Sequence, residues 1–279
     1  MTRFSLRITT FLFGSLILAM APLVPVAAAG AQPLSSRPLF FYRLHGLSGA
    51  TQTQSTSSNW SGYAASGASG SYNSLASTWT EPAVSCVANQ LTYSANWVGL
   101  DGFNDGTVEQ IGTEANCING QAQYYSWYQM YPQNPYEVFT NVAVAAGNSI
   151  TASVTYNPST TTTISRHRTI TNPGSFTLAL TNNTTKLTYT STITASRSVL
   201  RSSAEVITEA PYSNGVLPLA NFGVVNYTST LINGAPLSSA SGLQTVTMSN
   251  PYGMVATPSA IGSGGESFSI SWAASKTTI

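Results

Sequence analysis

The side chains able to carry out chemistry are few in this chain of 279 residues. A Ser-His-Asp triad needs an oriented imidazole, but His167 stands between two arginines, as in an exposed turn, and His45 is the other histidine. Two histidines without a His-Glu-x-x-His motif also argue against a zinc site. Asp101 and Asp105 are the only aspartates, and neither lies in an Asp-Thr-Gly loop. No Gly-rich phosphate loop follows a strand, so we expect neither a metal nor a cofactor.

Carboxylate and amide chemistry remains. The nine acidic residues are Glu81, Asp101, Asp105, Glu109, Glu114, Glu137, Glu205, Glu209 and Glu266. One ionised carboxylate can take a proton from water, and a neighbouring amide can donate a hydrogen bond to the oxygen that becomes negative in a tetrahedral intermediate. Such chemistry needs only a glutamate and a glutamine that face the same water.

β-strands must position these groups, because helical periodicity is almost absent after the first thirty residues. Short runs rich in Thr, Val, Ile, Tyr and Trp recur between Gly, Asn and Pro, which is typical of strands and turns. The predicted strands are Ser74–Thr80, Tyr93–Gly99, Gln123–Tyr131, Ser149–Tyr156, Phe176–Leu180, Leu187–Ile193, Ala204–Glu209, Phe222–Thr228, Leu243–Met248 and Ser267–Trp272. Many strands joined by short turns predict an all-β sandwich in one domain.

Strand alternation places particular side chains on common faces, because residues i and i+2 point the same way. Glu205 and Glu209 flank Ile207 on one face of their predicted strand. A second strand carries an aromatic and amide stripe formed by Tyr125, Trp127, Gln129 and Tyr131. Both faces would suit the floor of a polar cleft, and a solvated sheet face is the alternative.

The composition limits the possible partners. Only 7% of the residues are charged and the net charge is +1, so no basic patch is expected to bind nucleic acid. A surface of Ser, Thr, Asn, Gln and Tyr changes its charge little when carboxylates are protonated, which predicts tolerance of low pH.

The N-terminus has the pattern of a secretory signal peptide over residues 1–29. Arg3 and Arg7 precede an apolar stretch of about a dozen residues, and a run of small residues ends at Ala29. A membrane anchor is disfavoured, because a spanning helix needs roughly twenty apolar residues. We therefore expect a secreted, extracellular protein whose mature form is a monomer without a membrane segment.

Residues 30–57 differ from the rest, with a few basic residues, no acids and a polar end. This segment is either a propeptide or a flexible N-terminal arm, and the globular domain is expected to span residues 58–279.

Cys86 and Cys117 are the two cysteines, and in an exported chain we expect them to form a disulfide. A catalytic thiol is the alternative, but neither cysteine has a histidine in a position to act as its base.

Five sequence blocks resemble, in order, those of the glutamic peptidases (eqolisins, peptidase family G1). They are Ser58-Asn59-Trp60-Ser61-Gly62-Tyr63, Trp97-Val98-Gly99-Leu100-Asp101-Gly102, Val108-Glu109-Gln110-Ile111-Gly112, Tyr125-Ser126-Trp127-Tyr128-Gln129-Met130-Tyr131-Pro132 and Ala204-Glu205-Val206-Ile207-Thr208-Glu209. The resemblance implies a curved antiparallel β-sandwich of two sheets, concanavalin-like, made as a precursor. It also implies an endopeptidase that cleaves proteins or peptides in acid without a metal or cofactor.

Matched motif by motif, the resemblance makes Gln110 and Glu209 the catalytic pair. Residues matching those that line or support the cleft are Trp60, Asp101, Trp127, Gln129 and Glu205. In this scheme ionised Glu209 activates a water and Gln110 stabilises the oxyanion. Activity in acid would then require hydrogen-bond donors that lower the pKa of Glu209, with Gln110, Gln129 and Trp127 as candidates.

Two departures accompany the match. Gln129 stands where fungal members have glutamate, which removes a carboxylate from the expected site, and Ile111 stands where they have threonine.

Two other functions compete with this interpretation. A non-catalytic carbohydrate-binding sandwich could use the same aromatic residues for sugar stacking. A glycoside hydrolase needs two carboxylates roughly 5 to 9 Å apart, whereas Glu205 and Glu209 lie about 13 Å apart along one strand.

Overall fold

The structure is a computed structural model that describes residues 53–134, 136–159, 162–165, 168–171 and 173–273. All of these residues belong to one compact unit, residues 33–279. The expected signal peptide, residues 30–52 and both histidines lie outside the described residues.

The described chain is built of eighteen β-strands and one short 3-10 turn, Leu237–Ser239. In chain order, the strands are β1 Thr53–Ser57, β2 Trp60–Ser66, β3 Ser74–Thr80, β4 Thr92–Leu100, β5 Val108–Ile118, β6 Gln121–Tyr131, β7 Glu137–Phe139, β8 Ser149–Asn157, β9 Thr162–Ser165, β10 Arg168–Thr171, β11 Ser175–Asn182, β12 Leu187–Thr194, β13 Ser203–Glu209, β14 Val224–Ile232, β15 Ala235–Pro236, β16 Leu243–Asn250, β17 Gly253–Pro258 and β18 Phe268–Trp272.

All ten predicted strands are present, with ends that shift by up to four residues. The longest strand that the periodicity missed is β5, in which ten of eleven residues are buried. Polar residues occupy both faces of β5, so no apolar alternation marks it.

Sixteen of the strands form one continuous hydrogen-bonded sheet that folds over into two layers. One layer contains β12, β11, β8, β3 and β14, and the other contains β16, β2, β13, β4, β5, β6 and β7. The expectation of two separate sheets therefore needs correction, because β18 and β17 connect β14 to β16 by ladder pairing. Strands β9 and β10 pair separately.

Strand β1 modifies the expected domain boundary. Residues Thr53–Ser57 pair in parallel with Gln244–Met248 of β16. The last five residues of the segment 30–57 are thus part of the sheet and not a frayed arm. We expect any cleavage site for a propeptide to lie before Thr53, so that this pairing is kept.

The main hydrophobic core lies between the two layers and contains Tyr63, Leu75, Trp79, Val98 and Phe176 among many others. A second buried cluster covers the opposite face of the β2, β13, β4, β5 and β6 layer. Its members are Trp60, Ala64, Ala95, Trp97, Phe103, Val108, Trp127, Tyr136, Ile207 and Val246. We call this second face the outer face of the layer, and the candidate site is built on it.

A disulfide joins Cys86, in the connection from β3 to β4, to Cys117 near the end of β5, with the Cα atoms 5.2 Å apart. The pairing expected from the sequence is thus present in the structure. Among the described residues, no helix has the length and apolar character needed to cross a membrane.

Candidate active site

Strands β13, β4, β5 and β6 are neighbours, and their register aligns the candidate residues in rows across the sheet. Directly paired residues of antiparallel strands point to the same face. The Gln110 row consists of Glu205, Gly99, Gln110 and Gln129. The tryptophan row consists of Ile207, Trp97, Gly112 and Trp127. The Glu209 row consists of Glu209, Ala95, Glu114 and Tyr125.

The Gln110 row brings a carboxyl and an amide to the two sides of a glycine. A Cβ atom at Gly99 would lie 3.3 Å from Cβ of Gln110 and 2.9 Å from Cζ3 of Trp97. Both distances are shorter than an ordinary van der Waals contact, so the neighbouring side chains already fill this position. Glycine here lets the indole of Trp97 pack against the strand between Glu205 and Gln110.

The polar atoms around this space are buried and incompletely paired. Gln110 Nε2 donates to Gln129 Oε1 at 3.0 Å. Within the described part of the chain, Gln110 Oε1 and both carboxyl oxygens of Glu205 have no hydrogen-bond partner. Gln110 and Glu205 are 2% and 0% exposed, so these orphaned acceptors are costly in the absence of a bound group.

The register places Gln110 and Glu209 in different rows, and their pairing as a catalytic dyad, expected from the motifs, stays a prediction. Two strand spacings separate Gln110 from Glu205, about 10 Å between Cα atoms. Glu209 lies four residues further along β13, about another 13 Å in the strand direction. Glu205 is thus the glutamate of β13 that shares a row with Gln110.

Both carboxyl oxygens of Glu209 are hydrogen-bonded, whereas in the described part of the chain Glu114 Oε1, in the same row, has no partner. Glu209 Oε2 accepts from Trp97 Nε1 at 2.8 Å, and its Oε1 accepts from Asn59 Nδ2 at 3.1 Å. The hydroxyl of Tyr136 donates to Glu114 Oε2. The solvated face that alternation alone allowed is wrong, because Glu209 is 2% exposed and every residue of β13 is buried.

The tryptophans expected to line the cleft form an aromatic layer on the outer face. Trp60 and Trp97 meet edge to face with centroids 4.9 Å apart, and Trp127 lies 5.0 Å from the ring of Tyr136. Their rings are at most 1% exposed. Buried rings in contact with carboxyl-bearing strands do not form an open platform for sugar stacking.

Asp101 orders the start of the β13 strand. Its two carboxyl oxygens accept the backbone N–H groups of Arg201 and Ser202, each at 2.7 Å. Asp101 has φ 63° and the next residue is a glycine, so the β4–β5 connection turns sharply there. Asp105 accepts from Ser202 Oγ at 3.1 Å and so strengthens the same contact. Asp101 thereby supports the backbone three and four residues before Glu205.

Burial dominates the electrostatics of the glutamates. It raises the pKa of Glu205 well above the usual range, and Asp101, Asp105 and Glu109 raise it further. The nearby Ser203 hydroxyl lowers this pKa, although its contact with Glu205 does not have hydrogen-bond geometry. Burial also raises the pKa of Glu209 to about 8, although the indoles of Trp97 and Trp60 and the Asn59 amide favour its charged form. The expectation of a lowered pKa at Glu209 is therefore wrong, because desolvation exceeds the effect of the donors.

The sequence analysis did not predict that several other carboxyls are buried. Burial raises the pKa of Glu81 to about 7 and that of Glu114 to about 7, and Glu109 is 2% exposed. Asn59 and Tyr136, which bond the Glu209 row, were also not anticipated. Asn59 lies inside the first sequence block that resembles the family, and that block could have identified it as a site residue. Tyr136 reaches the site from a loop, and no sequence motif identifies it. Within the described ranges, no group of three or more His, Cys, Asp or Glu residues could hold a metal ion.

Comparisons with known proteins agree with this architecture. The family model of the peptidase A4 family matches residues 58–272. Scytalido-glutamic peptidase, solved with a transition state analog inhibitor, is similar with 25% identity and a TM-score of 0.61, over 77% of this chain and 98% of that one. SCP-B of the eqolisin family, solved with the tripeptide Ala-Ile-His, has 24% identity and a TM-score of 0.58 over the same shares of the two chains.

Aspergilloglutamic peptidase from Aspergillus niger has 23% identity and a TM-score of 0.51, over 65% of this chain and 99% of that one. No curated protein sequence matches significantly. The family match covers most of the chain and confirms the resemblance seen in the five blocks. The chain belongs to the peptidase A4 family and is a hydrolase of the glutamic endopeptidase type.

Proposed function

We propose that this protein is a secreted acid endopeptidase whose catalytic pair is Gln110 and Glu205. The observation that carries the proposal is the Gln110 row. A buried amide and a buried carboxyl with unpaired acceptors stand in register on either side of Gly99. A water would supply the donors that these oxygens lack, and the free N–H of Gln110 Nε2 would donate to the oxygen of a scissile carbonyl.

The reaction begins with ionised Glu205 as general base. It takes a proton from the water between the two side chains, and the water oxygen attacks the carbonyl carbon of the peptide. Gln110 Nε2 carries two hydrogens, of which Gln129 accepts one, so the other can stabilise the oxyanion. Protonated Glu205 then gives its proton to the leaving nitrogen as the C–N bond breaks.

The raised pKa of Glu205 sets a condition on activity in acid. In the described conformation burial favours the neutral carboxylic acid. Hydrogen bonds to the charged form lower a carboxyl pKa, and neither oxygen of Glu205 has such a donor in the described structure. The attacking water and backbone N–H groups of the bound peptide would provide them, so substrate binding itself would promote ionisation of the base.

Glu209 has a different role in this proposal. Its contacts with Trp97 and Asn59 hold the aromatic layer beside the reaction space. The Trp97 ring packs directly over Gly99, so Glu209 would act on the site through the position of that indole. Trp60 and Trp127 belong to the same buried layer and would support the site from there.

The setting of this activity follows from the sequence. We propose that residues 1–29 direct export and are removed, that a segment within residues 30–52 is a propeptide, and that the mature extracellular enzyme acts as a monomer on unfolded proteins or peptides. Its low content of charged residues suits an acidic medium.

Two substitutions on the same strand test the assignment. Glu205→Gln and Glu209→Gln are each isosteric, and both are compared with the wild type on denatured casein from pH 2 to pH 7. Glu205→Gln should lower kcat by about 10² to 10⁴, and Gln110→Ala by about 10² to 10³. Glu209→Gln should cost less than about tenfold, because Gln retains one acceptor oxygen.

The reverse order, with Glu209→Gln inactive and Glu205→Gln active, would restore the pairing suggested by the motifs. Full activity in Gln110→Ala and in both glutamate variants would refute the proposed mechanism. Thermal unfolding of each variant shows that activity is compared between folded proteins.

A further inference from the structure

Gln129 is the residue beside Gln110 in its row and the partner of its amide. Gln129 Oε1 accepts the hydrogen bond from Gln110 Nε2 at 3.0 Å, and both side chains are at most 3% exposed. We propose that Gln129 is a positioning residue that fixes the orientation of the Gln110 amide, and that it does so independently of pH. The inference rests on the proposed function, because it concerns the group that would stabilise the oxyanion.

The orientation of Gln110 matters because an amide has a donor end and an acceptor end. With Nε2 bonded to Gln129, the unpaired Gln110 Oε1 is left for the attacking water, and the second N–H is left for the oxyanion. If Gln110 alone turned over, its Oε1 would replace Nε2 beside Gln129 Oε1. Two carbonyl oxygens at a separation of 3.0 Å share no hydrogen, so that arrangement loses the bond and adds repulsion. If both amides turned over, the bond would be kept with donor and acceptor exchanged, so the selection requires Gln129 to keep its own orientation.

The strands make this selection specific. Gln110 and Gln129 are direct partners in the β5–β6 ladder, so their side chains stand next to each other on the outer face. Burial strengthens the effect, because no bulk water competes for the amide of Gln110. An uncharged partner also adds no negative charge to a row that already contains Glu205.

Two variants separate positioning from structural support. Gln129→Met keeps the length of the side chain and removes the carbonyl acceptor. Gln129→Glu keeps an acceptor oxygen, and when ionised it has acceptors only, so it enforces the arrangement seen in the structure. Gln121→Met serves as a matched control, because Gln121 lies at the exposed start of the same strand.

The measurement is kcat and KM on a defined peptide from pH 2 to pH 7, with thermal unfolding in parallel. Gln129→Met should lower kcat by about tenfold or more, with KM changed less than about twofold. Gln129→Glu should recover kcat to within about threefold at the upper end of the pH range. The acid limb of its kcat–pH profile should move upward by about one pH unit, because a second carboxylate raises the pKa of Glu205. In addition, the new carboxyl no longer acts only as an acceptor once it is protonated.

Wild-type kcat in Gln129→Met would overturn the inference, and so would a Gln129→Glu variant as impaired as Gln129→Met at every pH. A fall in kcat that Gln121→Met reproduces would show a general effect of strand β6. Glu205→Gln and Gln110→Ala, measured in the same assay, identify which idea has failed. If they are inactive while Gln129→Met is fully active, only the role of Gln129 is refuted. If they remain active, the proposed function is refuted.

Discussion

The Gln110 row and the Glu209 row lie on the same four strands and the same face, yet they differ in how their polar atoms are satisfied. In the Glu209 row, both carboxyl oxygens of Glu209 accept hydrogen bonds, and Ala95 occupies the position between it and Glu114. In the Gln110 row, Glu205 and Gln110 keep unpaired acceptors in the described structure, and Gly99 occupies the corresponding position.

This difference separates a supporting row from a reactive row. Buried polar groups are normally hydrogen-bonded, so a set of unpaired acceptors in one row indicates where another molecule is expected to bind. Residue type does not distinguish the rows, because each contains a buried glutamate from β13. The residue between the functional side chains and the donors around them make the distinction.

The largest effect is expected from raising the pH, which would ionise carboxyls in both rows. The folded-state pKa of Glu209 lies near 8 against an ordinary value of 4.5, and that of Glu205 is also raised. The folded protein therefore binds more protons than the unfolded chain, and stability is lost as the pH rises from about 4.5 through about 8. We expect a loss on the order of 5 kcal/mol and a decrease in Tm of more than about 10 °C.

Thermal unfolding of the Gln110→Ala variant, in which self-digestion is prevented, measures this loss between pH 4 and pH 8. Adding Glu205→Gln should reduce the loss more than adding Glu209→Gln, because Glu209 already has donors that favour its charge. Equal stability at the two pH values would contradict the expectation. Equal contributions of Glu205 and Glu209 to this loss of stability would show that the two rows do not differ electrostatically.

A second prediction concerns the β4 residue of each row, Gly99 in the Gln110 row and Ala95 in the Glu209 row, each replaced by the other residue type in a separate variant. Gly99→Ala should lower kcat/KM by about 100-fold, because the new methyl group would clash with Trp97 and Gln110 and displace them. Ala95→Gly, four residues earlier in β4, should leave kcat/KM within about threefold and cost about 0.5 to 1 kcal/mol of unfolding free energy. Peptide hydrolysis and thermal unfolding check both variants. Similar activity losses in the two would show that the close packing over Gly99 has no special role.

The smallest expected effect concerns the pH dependence of the two kinetic constants. The acid limb of kcat/KM reports the base in the free enzyme, whereas the acid limb of kcat reports it in the substrate complex. Because bound substrate would supply donors to Glu205, the limb of kcat should lie about one pH unit below that of kcat/KM. Glu209→Gln should keep this separation, since Glu209 is not the base in this proposal. Coincident limbs in the wild type would show that substrate does not promote ionisation of Glu205.

Much of the fold was predictable from local patterns. Period-two alternation and turn residues located ten of the strands, including β13 and β6 that carry Glu205 and Gln129. Strand β5, which carries Gln110, was not recognisable from its own pattern, because its polar residues are buried on both faces. Polarity is an unreliable sign of exposure in this protein, since the acids of the site are enclosed by tryptophans and neighbouring strands.

The sequence by itself determined the reactive inventory, the disulfide partners, the strand content and the family. It also placed Glu205 and Glu209 on one face of β13, since they are four residues apart and side chains alternate. It did not determine which of the two stands across from Gln110, because alternation gives a face but no position relative to another strand. Only the pairing of β13 with β4 and of β4 with β5 decided that, and it aligned Glu205, Gly99 and Gln110. The pKa values were likewise set by the tertiary structure, because desolvation depends on the residues that pack around a carboxyl and not on its neighbours in sequence.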